Sequence, residues 1–123
     1  MDTGRIMDDL FDAFARQDAQ RLRELCADDF AARRNGSPSV GFDDMIALVR
    51  AAFWEPGITS SYSEIRRVVE GRSIAEQHVV TLTTPDGRIV QTDVCVVVHI
   101  DEDGLVYSFD EYADGTVLAE LMS

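Results

Sequence analysis

The chain has 123 residues, 46% of them hydrophobic and 28% charged, which is the size of one domain and too apolar for intrinsic disorder. Eleven basic side chains stand against 23 acidic ones, for a formal charge of −12. A phosphate backbone or an anionic membrane is repelled by such a field, so nucleic acid and lipid surfaces are excluded as partners.

Helices are expected first and strands afterwards, in a single domain over residues 1–123. Ile6, Met7, Leu10, Phe11 and Phe14 recur at helical spacing, predicting an amphipathic helix over about 3–17. Asp18 is placed to cap a shorter helix in which Leu22, Leu25 and Cys26 share a face, ending near Asp28. A short strand over 30–34 and an Asn35-Gly36-Ser37-Pro38 loop come next. Phe42, Met45, Ile46, Val49 and Phe53 then mark a third helix, stopped by Pro56-Gly57.

Beyond Gly57 the pattern becomes strand-like over 58–70, 73–84, 88–100 and 105–113, with turns at Glu70-Gly71, Pro85-Asp86-Gly87 and Asp103-Gly104. Strands this long exceed the usual five or six residues, so a curled antiparallel sheet is expected, wrapped around the helices and enclosing a pocket. Thr116 to Leu121 can add a last helical turn.

Val94 to Val98 is the longest apolar run, far short of the roughly 18 residues of a membrane span. With no basic-then-apolar leader, the chain reads as cytoplasmic. The same run is apolar at both parities, and only one face can be covered by the helices, so a homodimer through the convex sheet face is expected. Cys26 and Cys95 form no CxxC and read as reduced thiols. His78 and His99 lack an HExxH or paired cysteines, and 101–104 departs from a calcium loop, so no metal and no cofactor is expected.

The segments RQDAQRLRELCADDF at 16–30, VGFDDMIALVRAAF at 40–53 and DGLVYSFDEYAD at 103–114 together resemble the SnoaL-like proteins of the nuclear transport factor 2-like superfamily. That resemblance implies an α+β cone with an internal cavity, and it covers nearly the whole chain. The fold serves enzymes and non-enzymes alike, so the pocket residues must decide.

In steroid isomerases of the superfamily, the positions of the base and the oxyanion donors correspond here to Arg34, Leu10 and Val96, none of which can do that chemistry. For epoxide hydrolases similar to the limonene enzyme, the matching positions are Gln77, Val79 and Glu111, without the Arg–Asp pair of that family. Polyketide cyclases of the SnoaL type use an acid and often a His, for which this chain offers Glu111 and, less well placed, His78, His99 or Asp110.

Glu111 shares strand parity with Phe109 and Tyr107 and is the candidate catalytic group. Phe14, Arg34, Trp54, Tyr62, Gln77, Val79, Val96, Tyr107 and Phe109 complete the expected pocket lining. By the same alternation His78 and His99 point to the outer sheet face. Only one of Arg33 and Arg34, and one of Arg66 and Arg67, can enter the pocket, and Arg34 there implies a ligand with an anionic oxygen. Two functions follow: a module that binds a small, mostly apolar molecule, or a cofactor-independent acid–base enzyme using Glu111. A protein-interaction adaptor would require a further exposed apolar patch.

Overall fold

The computed structural model describes residues 1–121. Its elements are α1 (Thr3–Ala15), α2 (Ala19–Leu25), β1 (Cys26–Arg34), α3 (Phe42–Val49), a π-helical segment (Arg50–Trp54), β2 (Thr59–Glu70), β3 (Ser73–Thr83), β4 (Ile89–Ile100), β5 (Val106–Ala113) and α4 (Gly115–Leu121). The strands form one five-stranded sheet in the order β1-β5-β4-β3-β2.

The hairpin-linked strands β2 to β5 are antiparallel neighbours, as their turns require. β1 joins the far edge parallel to β5, which makes the sheet mixed. It also starts at Cys26, earlier than its sequence indicates, because α2 ends at Leu25 rather than near Asp28. Asp28 and Asp29 lie exposed within the strand, in the stretch where its pairing with β5 shifts register.

Each helix is built as its pattern dictates. Asp2 caps α1 and Asp18 caps α2, each accepting from the backbone N–H three residues on, at 3.0 Å. Met7, Leu10, Phe11 and Ala13 bury the stripe of α1 against the concave sheet, where they meet Val96, Val98, Val106 and Phe109. α3 buries Phe42, Met45 and Ile46 in the same core. The chain then widens into i→i+5 bonding, with Glu55 N–H donating to Arg50 O at 2.9 Å and Ile58 N–H to Phe53 O at 2.8 Å. A smaller cluster of Ile58, Leu82 and Leu121, with Phe53 against it, closes that end of the molecule.

Packing of α1 onto the sheet is the main apolar contact across the two layers. Leu10 is 1% exposed, so Leu10→Ala should cost about 3 kcal/mol through lost burial and the cavity left behind. Urea or guanidinium unfolding curves measure this, and a loss below about 1 kcal/mol would show that the site relaxes.

Candidate functional site

The concave face of the sheet is not fully packed by the helices. A cavity of about 400 Å³ remains between α1, α3, the π-helical segment and the strands, a volume suited to a small organic ligand. Phe11 and Phe14 come from α1, Met45, Val49, Phe53 and Trp54 from the α3 side, and Tyr62, Val80, Leu82, Val94 and Phe109 from the sheet. The walls are therefore mostly apolar. Arg33, Arg34, Ser37, Ser60, Tyr62, Thr92 and Glu111 supply the polar side chains.

Cross-strand register organises the charges. Arg67, Glu76, Val96, Glu111 and Arg34 lie in one row across all five strands, each paired with the next. The central Val96 is 0% exposed beneath the helices. On either side of it stands a Glu whose neighbour is an Arg, and the two halves of the row behave differently.

In the first half the ion pair is made. Arg67 Nε donates to Glu76 Oε1 at 2.6 Å, and the same guanidinium reaches Gly4 O at 3.1 Å and Asp8 Oδ1 at 2.6 Å. The other oxygen of Glu76 lies 2.6 Å from His78 Nδ1. Glu76 is 0% and His78 3% exposed, and the imidazole packs edge-on against Phe11 and Tyr62, ring centroids 4.8 and 5.1 Å away. Each polar side chain of this network has a partner, which is the condition for burying it.

In the second half the pair is not made. Glu111 lines the cavity, and among the described residues no group hydrogen-bonds its carboxylate. Burial raises its pKa above the ordinary value, only partly countered by the charges of Arg34 and His78. Arg34 also lines the cavity and makes no ion pair among the described residues. Tyr62 completes the polar set; burial pushes its phenol up to about 12, and its hydroxyl lies 3.5 Å from Ser60 Oγ.

Backbone bonds fix this end of the sheet. Asn35 N–H donates to Glu111 O at 2.8 Å, and the Asn35 side chain both donates to and accepts from the backbone of Ala113, each at 3.0 Å. Ser37 closes the turn, donating to Arg34 O from its N–H at 3.0 Å and from Oγ at 2.6 Å.

Of the expected residues, Glu111, Phe14, Arg34, Trp54, Tyr62 and Phe109 meet at the cavity. Gln77 and Val79 do not: Glu76, His78, Val80 and Leu82 hold the inward parity of β3, which turns Gln77 and Val79 to the convex face. His78 is correspondingly inward, opposite to expectation. Tyr107 is displaced by a bulge where Ile100 pairs with Val106 but His99 already pairs with Ser108. The extra residue carries Tyr107 outward to stack on His99, centroids 6.1 Å apart. Val96 faces inward but lies in the packed core, outside the cavity lining. Both Arg33 and Arg34 border the cavity, Arg33 from its exposed rim.

Matching Gln77 and Val79 to the epoxide hydrolase positions turns the parity of Glu76 and His78 outward, and so hides the network of Arg67, Glu76 and His78. Ile74, Val80 and Leu82 share that parity and are the sequence signal that it faces the core.

The sequence matches the SnoaL-like domain family over residues 7–109. No curated protein matches it. An NTF2-like protein from Burkholderia xenovorans LB400 superposes with a TM-score of 0.76 at 23% identity, covering 98% of this chain and 95% of that one. An LEH-like epoxide hydrolase from M. tuberculosis gives 0.75 at 19%, covering 94% and 85%. A candidate polyketide cyclase from Xanthomonas campestris pv. campestris gives 0.81 at 14%, covering 98% and 96%. At these identities what is shared is the fold.

The raised pKa of Glu111 has a consequence for stability. Between its ordinary value of 4.5 and the raised folded value, the folded protein holds a proton the unfolded chain has lost, so stability falls as pH rises through that window and stays lower above it. Glu111→Gln removes the penalty. The variant should melt above the wild type at about pH 8 and lose that advantage as pH falls toward the ordinary carboxylate range. Equal melting at the alkaline end would show that Glu111 is well solvated.

Proposed function

Because the chain belongs to the SnoaL-like domain family, whose fold carries several chemistries, we propose from its cavity that it binds a small, mostly apolar carbonyl compound and moves a proton beside the carbonyl. No cofactor is needed for such a step, and Glu111 is the group that transfers the proton. The reading is of the polyketide cyclase or isomerase type, in keeping with the cyclase relative of the same fold.

One observation carries it. Glu111 presents a carboxyl with no hydrogen-bond partner among the described residues to a mostly apolar cavity. Burial raises its pKa, and a carboxyl titrating closer to neutrality is suited to both giving and taking a proton. Tyr62 and Arg34 on the same walls offer donors to an oxygen on which charge develops. A module that only bound an apolar molecule would gain nothing from that unpaired acid.

Exchange of carbon-bound protons into deuterium oxide, followed by NMR for β-tetralone and phenylpyruvate, tests this. The wild-type protein should accelerate exchange of at least one of them, and Glu111→Gln should lower the rate by about 100-fold. Binding without exchange would leave a binding module and remove the enzyme.

We further propose that the chain is a cytoplasmic homodimer, its two unbridged cysteines fitting a reducing compartment. The convex face carries Val68, Val79, Cys95, Val97 and Tyr112 in adjacent register, and Val68 is 73% and Tyr112 49% exposed. A second copy of the sheet is the partner that such a face fits. Light scattering should return twice the chain mass, and Val97→Asp should halve it. A wild-type monomer at micromolar concentration would refute the pairing.

A further inference from the structure

We infer that the ligand of this cavity carries a carboxylate and that Arg34 receives it, so that the substrate class is a small apolar acid rather than a neutral ketone. The inference rests on reading the cavity as the site where Glu111 works, and it narrows what enters.

It starts from the charge inventory. All eleven basic residues are arginine, against 23 acids. Arg16, Arg21, Arg23, Arg67 and Arg88 each pair with a carboxylate, while Arg5, Arg33, Arg50, Arg66 and Arg72 make no ion pair among the described residues but lie exposed to water. Arg34 is half-buried, sits next to Glu111 in the cross-strand row, and makes no ion pair among the described residues. The other half of the row shows what a satisfied pair looks like on this sheet: Arg67 and Glu76, with 2.6 Å between Nε and Oε1. Burial raises the pKa of Glu111 against the opposing charge of Arg34, and among the described residues no carboxylate lies within ion-pair distance of that guanidinium.

The backbone at Arg34 is held in place: its carbonyl accepts twice from Ser37, and Asn35 is locked to Ala113 and Glu111. A planar guanidinium carries paired N–H donors that match the two oxygens of a carboxylate. The low dielectric of the apolar walls strengthens that contact. The overall charge of −12 repels anions, so selection for an acid must come from a local cation. Arg33, at the rim, adds a second positive charge along the way in. Phe14, Trp54 and Phe109 give the rest of the ligand a mostly apolar surface to lie against. With that carboxylate on Arg34, the neighbouring Glu111 faces the rest of the ligand.

The matched pair β-naphthoate and methyl β-naphthoate tests this by calorimetry and thermal shift, independently of turnover. The wild-type protein should bind the acid about tenfold or more tightly than the ester. Arg34→Gln should abolish the difference, and Arg34→Lys should restore part of it. Glu111→Gln should keep the preference for the acid while losing proton exchange, which separates this inference from the proposed function. Exchange that fails in the wild type while the Arg34-dependent preference persists refutes the reaction and supports the acid. Equal affinity for acid and ester, a preference unchanged in Arg34→Gln, or one lost only in Arg33→Gln would overturn the assignment.

Discussion

One guanidinium ties the two layers of this molecule together. Arg67 on β2 holds a backbone oxygen and a carboxylate of α1 on one side and the buried Glu76 of β3 on the other. An amphipathic helix on a curled sheet can slide along its apolar stripe at modest cost, since burial is non-directional. Charge-assisted hydrogen bonds with fixed geometry cannot slide. The clamp therefore sets where the N-terminal half of α1 lies, and the Phe11 and Phe14 rings that follow it become a wall of the cavity. Breaking such a buried pair from one side would cost about 3–5 kcal/mol, because the remaining charge stays buried without its partner.

Protein interiors are close-packed, so an open volume of about 400 Å³ forgoes dispersion contacts that the same residues would make if the layers closed. The π-helical segment props it open. Its wider turn brings Phe53 and Trp54 to the cavity, while Phe53 also braces the Ile58, Leu82 and Leu121 cluster beyond. Glu111 adds an electrostatic cost to the packing cost. Stability given up in both forms at one place is the usual mark of a site shaped for a ligand.

Much of this architecture was legible in the residues. Long strands ended where Gly-containing turns interrupt them, and helices where their stripes ran out, because those signals are local. Glu111, Phe109, Arg34, Tyr62, Trp54 and Phe14 lie at the cavity as expected; the strand residues among them sit in stretches of regular pairing, clear of the bulges in their strands. The failures came where a local rule meets a long-range one. β3 turns Glu76 and His78 inward together with Ile74, Val80 and Leu82 and leaves Val79 outside, so a match of Gln77 and Val79 to pocket positions reverses its faces. The β5 bulge shifts Tyr107 by one position, and only pairing with β4 reveals it. The parallel partner of β1 lies about eighty residues away in sequence, beyond any periodicity.

The row across the sheet makes the functional argument without reference to relatives. Glu76 and Glu111 flank the same Val96, two strand spacings or about 10 Å apart, and both point under the helices. Chemistry does not distinguish them; surroundings do. Glu76 has Arg67 on one oxygen and His78 on the other and is fully buried, outside the cavity lining. Glu111 has an arginine beside it that it does not pair with, and open space in front. Two identical carboxyls thus stand in opposite environments, one paired within the structure and one facing the cavity, and the proposed proton transfer rests on that difference.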